Sequence, residues 1–515
     1  MNRREFLVVG AASIGTACSV PASRRVPAAG TSLPVPISAV RRLIVERIDP
    51  VLGRCRYVAD VGGRQIVHPV LIARRGERFE AVVENRLPQP TTVHFHGLTL
   101  PEAQDGAGFD AIAPGATKAL SFEVKNRSGL YWFHPHAHGF TAEQVYSGLV
   151  GLLVVVDAED TALDAALALG PDNRVALAVS DARVAAGSIR PYAPSPEDCL
   201  HGWFGNRTLV NGALDARRTV APGWVRLQLL NACNARGLLL AFLDAEANVP
   251  FHLLGTDGGL LAAPVGVDRV FVYPGERVDL AIDASGRREL AAVSLAFDPR
   301  HQAKGGRLAH AHPARGRYAP LAAETVCSDG ASGADALPDG TELGLFTLQV
   351  AGNGATRLPP LPARLSMLPE PPQAAVRRLR LDFDEHAGFL IDNTPYRADE
   401  IAFSVERGAR EVWEVRNSPI SMPHPMHLHG FGFRVLRRRG TFGPARALAR
   451  EESGLLPTDL GVKDTVVVWP NETLWLAVDF ALPGEAAFRG RQRYMFHCHN
   501  LEHEDGMMMR NFAVL

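Results

Sequence analysis

Residues 493–510 read RYMFHCHNLEHEDGMMMR and concentrate metal-binding side chains near the end of the chain. His497 and His499 lie on either side of Cys498, and a third imidazole and a thioether follow within ten residues. On a β-strand neighbouring side chains point to opposite faces, so the thiol and its flanking imidazoles should face different metals. Adjacent Cα atoms are only about 3.8 Å apart. The segment therefore predicts that Cys498 joins two metal centres by a short covalent path.

Histidines in His-X-His pairs recur in two copies of one arrangement. HFHG at 94–97 is matched by HLHG at 427–430, and WFHPH at 132–136 is matched by MFHCH at 495–499. The two imidazoles of a pair project from the same face of a strand, so each pair can serve one metal cluster. Pro135 stands in the first copy where the second has its cysteine, so only the C-terminal copy can supply a thiolate. The pairs are His94 with His96, His134 with His136, His427 with His429, and His497 with His499.

The remaining ligand types identify the metal. Imidazole alone suits zinc, iron, nickel or copper, whereas two imidazoles, a thiolate and a weak axial thioether are expected of a blue-copper electron-transfer centre. A structural zinc site would recruit further Cys or His at tight spacing, and the zinc protease pattern HExxH does not occur. The sequence therefore predicts copper. The blue-copper set is supplied by His424, Cys498, His503 and Met508.

Length and charge limit the class of protein. A chain of 515 residues predicts two to four domains. A hydrophobic content of 46% indicates a soluble globular protein, and the formal net charge is only −1. Nucleic acid and an anionic membrane are not predicted as partners.

The start of the chain resembles an export signal. The first 17 residues, MNRREFLVVGAASIGTA, combine paired Arg3 and Arg4 with an apolar run that is too short to span a bilayer. This is typical of a twin-arginine signal. We therefore expect a periplasmic or otherwise exported protein without stable membrane insertion. Cys18 is a candidate lipid attachment site, and the spacing of the six cysteines selects no disulfide pairing.

Short apolar segments bounded by Gly, Pro, Asn or Asp predict strands along the whole chain, and no long stretch keeps a helical period. The fold class is therefore all-β, built as barrels or sandwiches. Breaks rich in Pro, Gly or Ala occur at 24–40, 301–340 and 356–373. We predict a signal and linker at 1–37 and domains at 38–160, 161–355 and 356–515. The clearest predicted strands are FEAVVEN (79–85), GLLVVVD (151–157), VRLQLLN (225–231), EVWEVRN (411–417) and LWLAVDF (474–480).

The motifs HxHG, HxH, HPxHxHG and HCHxxxHxxxxM together resemble those of three-domain multicopper oxidases, over nearly the whole mature chain. RLQLLNACNARGLLLAF (226–242), DGGLL (257–261) and FLIDNTPY (389–396) are similar to the branch of bacterial laccases, copper efflux oxidases and bilirubin oxidases. The resemblance implies three cupredoxin-like Greek-key β-barrel domains and four copper ions per chain. It implies a type 1 copper on His424, Cys498, His503 and axial Met508. It implies a type 2 copper on His94 and His427, and a type 3 pair on His96, His134, His136, His429, His497 and His499.

The resemblance also implies where the reaction occurs. The cluster of three coppers should lie between the first and last domains, with the middle domain spacing them. Asp105 and Glu504 match positions implicated in proton delivery, and Cys498 is the path for electrons. Several other histidine and methionine side chains are expected not to be copper ligands. They are His138, His310, His312, Met507 and Met509.

The expected reaction is the oxidation of a small reductant by O2. Relatives that oxidise Cu(I) typically carry a Met-rich insertion and an acid four residues before the first type 1 histidine. Here Met367 is the only Met between residues 2 and 421, and Ile420 occupies the acid position although Met422 is kept. This favours a laccase-like oxidase of phenols, aromatic amines or similar reductants. The alternatives are a periplasmic cuprous oxidase in copper tolerance and a non-enzymatic cell-division scaffold, which should lack several ligands.

Overall fold

Strands dominate the structure, as predicted. All five segments named above form strands, and in Arg78–Arg86 buried and exposed residues alternate because one face packs on a core. The predicted export signal, Cys18, His310 and His312 lie outside the described residues. No helix in the described part of the chain is long and apolar enough to cross a membrane. The computed structural model describes residues 34–298, 300, 340–352, 357–371, 376–384, 386–441, 443–450 and 452–515.

The first domain packs two five-stranded sheets around an apolar core. The strands are β1 Pro34–Pro36, β2 Arg42–Asp49, β3 Arg54–Val61, β4 Arg64–Val67, β5 Val70–Arg74, β6 Arg78–Arg86, β7 His94–His96, β8 Thr117–Glu123, β9 Gly129–His134 and β10 Gly151–Val156. Their orders in the two sheets are β1-β5-β10-β9-β7 and β4-β3-β2-β6-β8. Strand β1, within the predicted linker, instead forms a sheet edge that pairs with β5. An edge strand tolerates proline because one of its sides needs no N–H donors.

The middle domain packs a seven-stranded sheet against a second sheet around its own core. The strands are β11 Arg174–Ala182, β12 Val184–Ala185, β13 Ser188–Ile189, β14 Arg207–Val210, β15 Ala213–Leu214, β16 Arg217–Val220, β17 Trp224–Asn231, β18 Leu238–Asp244, β19 Ala247–Asn248, β20 Phe251–Thr256, β21 Gly259–Val267, β22 Arg269–Val272, β23 Arg277–Asp283, β24 Glu289–Ser294 and β25 Leu343–Val350. The two sheets have the orders β15-β14-β11-β17-β23-β20-β21 and β16-β25-β24-β18-β19. Strand β22 pairs with β18, and β12 pairs with β13.

The last domain repeats the arrangement of the first, with two five-stranded sheets around its own core. The strands are β26 Val376–Asp384, β27 Gly388–Ile391, β28 Phe403–Val405, β29 Arg410–Asn417, β30 His424–Leu428, β31 Phe433–Arg439, β32 Thr465–Val468, β33 Thr473–Asp479, β34 Gln492–Cys498 and β35 Met509–Val514. Their orders are β27-β26-β29-β33-β31 and β28-β35-β34-β30-β32.

The helices between these strands are short. The α-helices are α1 Glu102–Asp105, α2 Thr141–Tyr146, α3 Ala158–Ala166, α4 Pro196–His201, α5 Gly443–Arg446 and α6 Leu501–Asp505. Single 3₁₀ turns occur at Ile37–Ala39, Pro457–Asp459 and Ala486–Phe488.

Contacts between the domains bring the two histidine-bearing sheets together. An apolar cluster around Trp132 and Leu230 joins the first domain to the middle one, and another around Tyr273 and Trp469 joins the middle domain to the last. The Tyr494 hydroxyl of the last domain donates to a first-domain carbonyl at 2.8 Å. These contacts hold β7 and β9 opposite β30 and β34, the strands that carry the His-X-His pairs.

Candidate copper centres

The thiol-containing centre lies inside the last domain. Cys498 Sγ is 3.5 Å from His424 Nδ1 and 3.6 Å from His503 Nδ1, and the two imidazole nitrogens are 3.2 Å apart. All three side chains are buried, and Met508 packs with Cys498 in the same core. The structure therefore brings together His424, Cys498 and His503, and it places Met508, the fourth side chain that the sequence predicted for a blue-copper centre, in the same buried core.

Local structure accounts for this arrangement. Strand β30 pairs with β34, so His424 at the start of one strand approaches Cys498 at the end of the other. Asn500 then caps helix α6 by accepting a hydrogen bond from the backbone N–H of His503, which turns the chain back towards the thiol. After the helix, the Cys498 N–H donates to the Met508 carbonyl at 2.9 Å, which brings the backbone of Met508 next to Cys498.

The eight paired histidines form a second, larger cluster between the first and last domains. Strand pairing places His94 opposite His134 and His427 opposite His497. All eight imidazoles are buried. They fall into three groups in which the potential ligand atoms lie within 4.8 Å of one another, and the first two groups share His96. The groups are His94, His96 and His427; His96, His134 and His499; and His136, His429 and His497.

Cys498 and its neighbours diverge as the alternation of a strand requires. The sulfur lies in the core of the last domain with His424, whereas His497 and His499 face the histidines of the first domain. The thiol and the two imidazoles thus belong to different centres while sharing one backbone segment. This arrangement is the one that the sequence predicted.

The histidine cluster has the unpaired donor atoms that metal ions require. His94 Nε2, His134 Nε2 and His427 Nε2 have no hydrogen-bond partner although they are buried. Elsewhere His429 Nε2 lies only 3.0 Å from His497 Nε2, an approach that suits a shared cation. Buried polar atoms without partners cost free energy, so their convergence fits bound metal ions.

The protonation states also fit copper. Burial lowers the pKa of His94 and of His424 to about 3, so both imidazoles are neutral and able to ligate. Burial raises the pKa of the Cys498 thiol. A bound cation would therefore hold this sulfur as a thiolate, the form that ligates metals.

Asp105 and Glu504 both lie beside the cluster. Asp105 Oδ2 accepts a hydrogen bond from His429 Nδ1 at 2.7 Å. Glu504 Oε1 is 3.5 Å from His136 Nδ1, and its Oε2 is 3.4 Å from His497 Nδ1. Burial raises the pKa of Asp105 to about 6 and raises the pKa of Glu504 well above its ordinary value.

Of the side chains expected not to be ligands, the structure describes His138, Met507 and Met509. His138 belongs to none of the ligand groups found among the described residues, and it packs edge-on against Tyr396 at 5.5 Å between ring centroids. Met509 is buried with Met495, and Met507 packs against the same cluster. The residue between the two, Met508, lies instead in the core that contains Cys498.

The middle domain contributes more than spacing. Its Arg277 forms a buried ion pair with Asp464 of the last domain, and Asp464 Oδ1 is 3.0 Å from His96 Nε2. At the other centre, His503 Nε2 donates to the carbonyl of Leu200 at 2.9 Å. Sequence reasoning missed both contacts because Arg277, Asp464 and Leu200 all lie outside the histidine motifs.

Comparison with known proteins identifies the family. Residues 51–160 and 369–515 each match a sequence profile described as multicopper oxidase, and these ranges contain every ligand position in the two centres. The chain belongs to the multicopper oxidase family. It is therefore a copper-dependent oxidoreductase with three cupredoxin-like domains, and the predicted fold class is confirmed.

The similarity of this multicopper oxidase to its relatives extends over most of the chain. It is 26% identical to multicopper oxidase mco of Staphylococcus aureus over 87% of this chain and 82% of the relative. It is 28% identical to cell division protein FtsP of Photorhabdus laumondii, over 78% of this chain and 75% of that relative. Among solved structures, McoA multicopper oxidase from Aquifex aeolicus is 27% identical, with a TM-score of 0.74 over 93% of this chain and 97% of the other.

Proposed function

We propose that this protein is a laccase-like oxidase, which oxidises phenols, aromatic amines or similar small reductants one electron at a time and reduces O2 to water. Four copper ions would bind, one at Cys498 and three among the paired histidines. The observation that carries the proposal is the placement of Cys498 between His497 and His499, which connects the two centres through a few backbone bonds. When bound, the copper ions supply the one-electron chemistry and the site of O2 reduction.

The electron enters at the edge of the thiol centre. His424 Nε2, the ring nitrogen facing away from Cys498, donates to Ser421 Oγ at 2.8 Å. Ile420, next to this serine, is 54% exposed. An apolar surface beside a neutral hydroxyl suits an aromatic reductant, whereas Cu(I) would be attracted by a carboxylate. This edge therefore supports a laccase-like oxidase over the cuprous-oxidase alternative.

Protons are supplied by carboxyl groups on either side of the histidine cluster. Asp105 Oδ1 and both carboxyl oxygens of Glu504 have no hydrogen-bond partner in the described structure. Each group can therefore hold a proton close to the cluster and release it during O2 reduction. Both side chains are buried beside the cluster, with Asp105 0% and Glu504 1% exposed.

Two alternatives compete with this proposal. A cuprous oxidase would use the same centres with Cu(I) as the reductant. FtsP is named a cell division protein, and a scaffold role would not require copper ligands, yet this chain keeps all twelve ligand positions that the family pattern specifies. The complete ligand set favours an enzyme.

The deciding experiment measures steady-state O2 uptake by copper-loaded protein with a phenol and, separately, with Cu(I). We expect the higher kcat/KM with the phenol, and Ile420→Asp should raise the ratio of Cu(I) to phenol oxidation. A higher kcat/KM with Cu(I) in the wild type would favour the cuprous oxidase. If protein that binds about four copper ions takes up no O2 with either reductant, the result would favour the scaffold role.

The proton-delivery roles are tested separately. Asp105→Asn and Glu504→Gln should slow O2 reduction while leaving the thiolate-to-copper absorption intact, because neither carboxyl group contacts Cys498. Single-turnover reoxidation of the reduced enzyme by O2 isolates this step from substrate oxidation. Bleaching of the absorption, or unchanged reoxidation, would show that the assignment is wrong.

We also propose export through the twin-arginine-type signal, which carries folded proteins. Fusion of residues 1–37 to a reporter should direct it out of the cytoplasm, and replacing Arg3 and Arg4 by lysine should retain it. Export that is unaffected by these replacements would argue against this route.

A further inference from the structure

Asp105 holds two histidines of the cluster at once. Its backbone carbonyl accepts a hydrogen bond from His94 Nδ1 at 2.7 Å, and its carboxylate accepts one from His429 Nδ1 at 2.7 Å. The two rings stack with their centroids 4.0 Å apart. In both rings the hydrogen-bonded nitrogen carries the proton, since the oxygens are acceptors, and Nε2 is left facing the metal position.

Asp464 repeats this arrangement on the other side of the cluster. Its backbone carbonyl accepts a hydrogen bond from His427 Nδ1 at 2.9 Å, and its carboxylate Oδ1 accepts one from His96 Nε2 at 3.0 Å. These two rings also stack, with centroids 3.6 Å apart. The protons are therefore fixed on His427 Nδ1 and His96 Nε2. The remaining nitrogens, His427 Nε2 and His96 Nδ1, have no hydrogen-bond partner and face the cluster.

The two aspartates differ in what binds their carboxylates. Asp105 Oδ1 has no hydrogen-bond partner among the described residues. Both oxygens of Asp464 accept hydrogen bonds from Arg277, at 2.6 Å from Nη1 and 2.5 Å from Nη2. Such a two-point, charge-assisted pair fixes the plane of the carboxylate as well as its position.

Arg277 is itself held by all three domains. Its Nε donates to the carbonyl of Leu130 in the first domain at 3.0 Å. Its terminal nitrogens donate to the middle-domain carbonyls of Gly275 at 2.9 Å and Asp257 at 3.0 Å, in addition to Asp464. All five N–H donors are thus used, and the residue is 1% exposed. A side chain fixed in this way cannot follow a displaced partner.

We propose that Arg277 and Asp464 form a positioning pair for the histidine cluster, in which Arg277 orients Asp464 and Asp464 selects the ligand nitrogens of His96 and His427. The inference rests on the proposed copper sites. The middle domain carries none of the four His-X-His pairs of the cluster. The inference makes it a determinant of copper binding at a cluster formed by the other two domains.

The test measures copper retention in Asp464→Asn and Arg277→Gln. Wild-type and variant proteins are loaded with copper and titrated with a chelator, and the electron paramagnetic resonance signal of type 2 copper is followed. We expect each variant to release this copper about 10- to 100-fold more readily, the usual effect of losing a group that orients a metal ligand. The thiolate-to-copper absorption should persist, which shows that the last domain remains folded.

The double variant separates positioning from general stabilisation. If Arg277 acts through Asp464, Arg277→Gln/Asp464→Asn should release copper no more readily than Asp464→Asn alone, because coupled residues have non-additive effects. If the fold-increase in copper release by the double variant equals the product of the two single-variant increases, the proposal is overturned. If Arg277→Gln does not fold, Asp464→Asn decides, and copper retention within twofold of the wild type would also overturn it.

Arg226 offers a matched control. It is fully buried and forms a two-point pair with Asp279, at 2.6 Å from Nη2 and 3.0 Å from Nε, and neither residue contacts the cluster. Arg226→Gln should lower the unfolding temperature without changing copper retention. Equal copper loss in this control would attribute the effect to stability and overturn the proposal. Wild-type protein that gives no type 2 signal after loading would refute the proposed function, and this inference with it.

Discussion

Gly97, the last residue of HFHG, provides a quantitative test of how closely Arg277 and Asp464 are packed. Its φ angle is +86°, a conformation that costs an L-residue about 1–2 kcal/mol. An added Cβ would lie against Asp464 Oδ2 and 2.8 Å from Arg277 Nη2. Both atoms belong to a fully bonded pair and cannot move aside, so overpacking adds about 1–3 kcal/mol. Gly97→Ala should therefore lower the free energy of unfolding by about 2–5 kcal/mol.

Gly286 supplies the control for backbone strain. Its φ angle is +68°, and an added Cβ would meet nothing within 4 Å, so Gly286→Ala should cost only about 1–2 kcal/mol. Urea unfolding of both metal-free variants, followed by circular dichroism, gives the difference that isolates overpacking. Chelator titration should also show earlier loss of type 2 copper in Gly97→Ala alone. If Gly97→Ala is no more destabilising than Gly286→Ala, the reasoning about the pair is refuted.

Three further outcomes are expected. Cys498→Ser should abolish the intense thiolate-to-copper absorption while type 2 copper remains detectable by paramagnetic resonance; persistence of the absorption would contradict the assignment of the sulfur. Met508→Leu conserves side-chain volume, so it should lower the free energy of unfolding by less than about 1.5 kcal/mol. It should also raise the reduction potential of the thiol centre, because a donor to cupric copper is lost. An unchanged potential in redox titration would place the thioether outside the site. Removing copper should lower the unfolding temperature, since a ligand present at a hundredfold excess over its Kd stabilises the folded state by about 2.7 kcal/mol; equal temperatures with and without copper in calorimetry would exclude tight binding.

Much of the fold could be predicted because it follows from local patterns. Segments such as 79–85 alternate buried and exposed residues, and that period of two exists only in strands. Pro34–Pro36 lies within the predicted linker and forms an edge strand that pairs with Val70–Arg74, because composition alone does not distinguish an exposed coil from such a strand. Edge pairing depends on a partner distant in sequence, which no local pattern reports.

The ligand side chains were predictable for a similar reason. The divergence of Cys498 from His497 and His499 is a property of three consecutive strand residues. Arg277 and Asp464 were not predictable, since they are 187 positions apart and meet only where the three domains join. The relation of Asp464 to Asp105 was also hidden, because the former precedes a strand of the last domain and the latter ends helix α1.

The sequence by itself determined the strand character of the chain, the types of metal ligand and the alternation that sends a thiol and two imidazoles to different sides. Those properties reside in neighbouring residues and in the chemistry of their side chains. Only the tertiary structure decided which histidines form each group, which of their ring nitrogens are left without a hydrogen bond, and that Arg277 of the middle domain holds the carboxylate of Asp464. These features depend on hydrogen bonds between residues of different domains, and such bonds exist only after the domains have packed together.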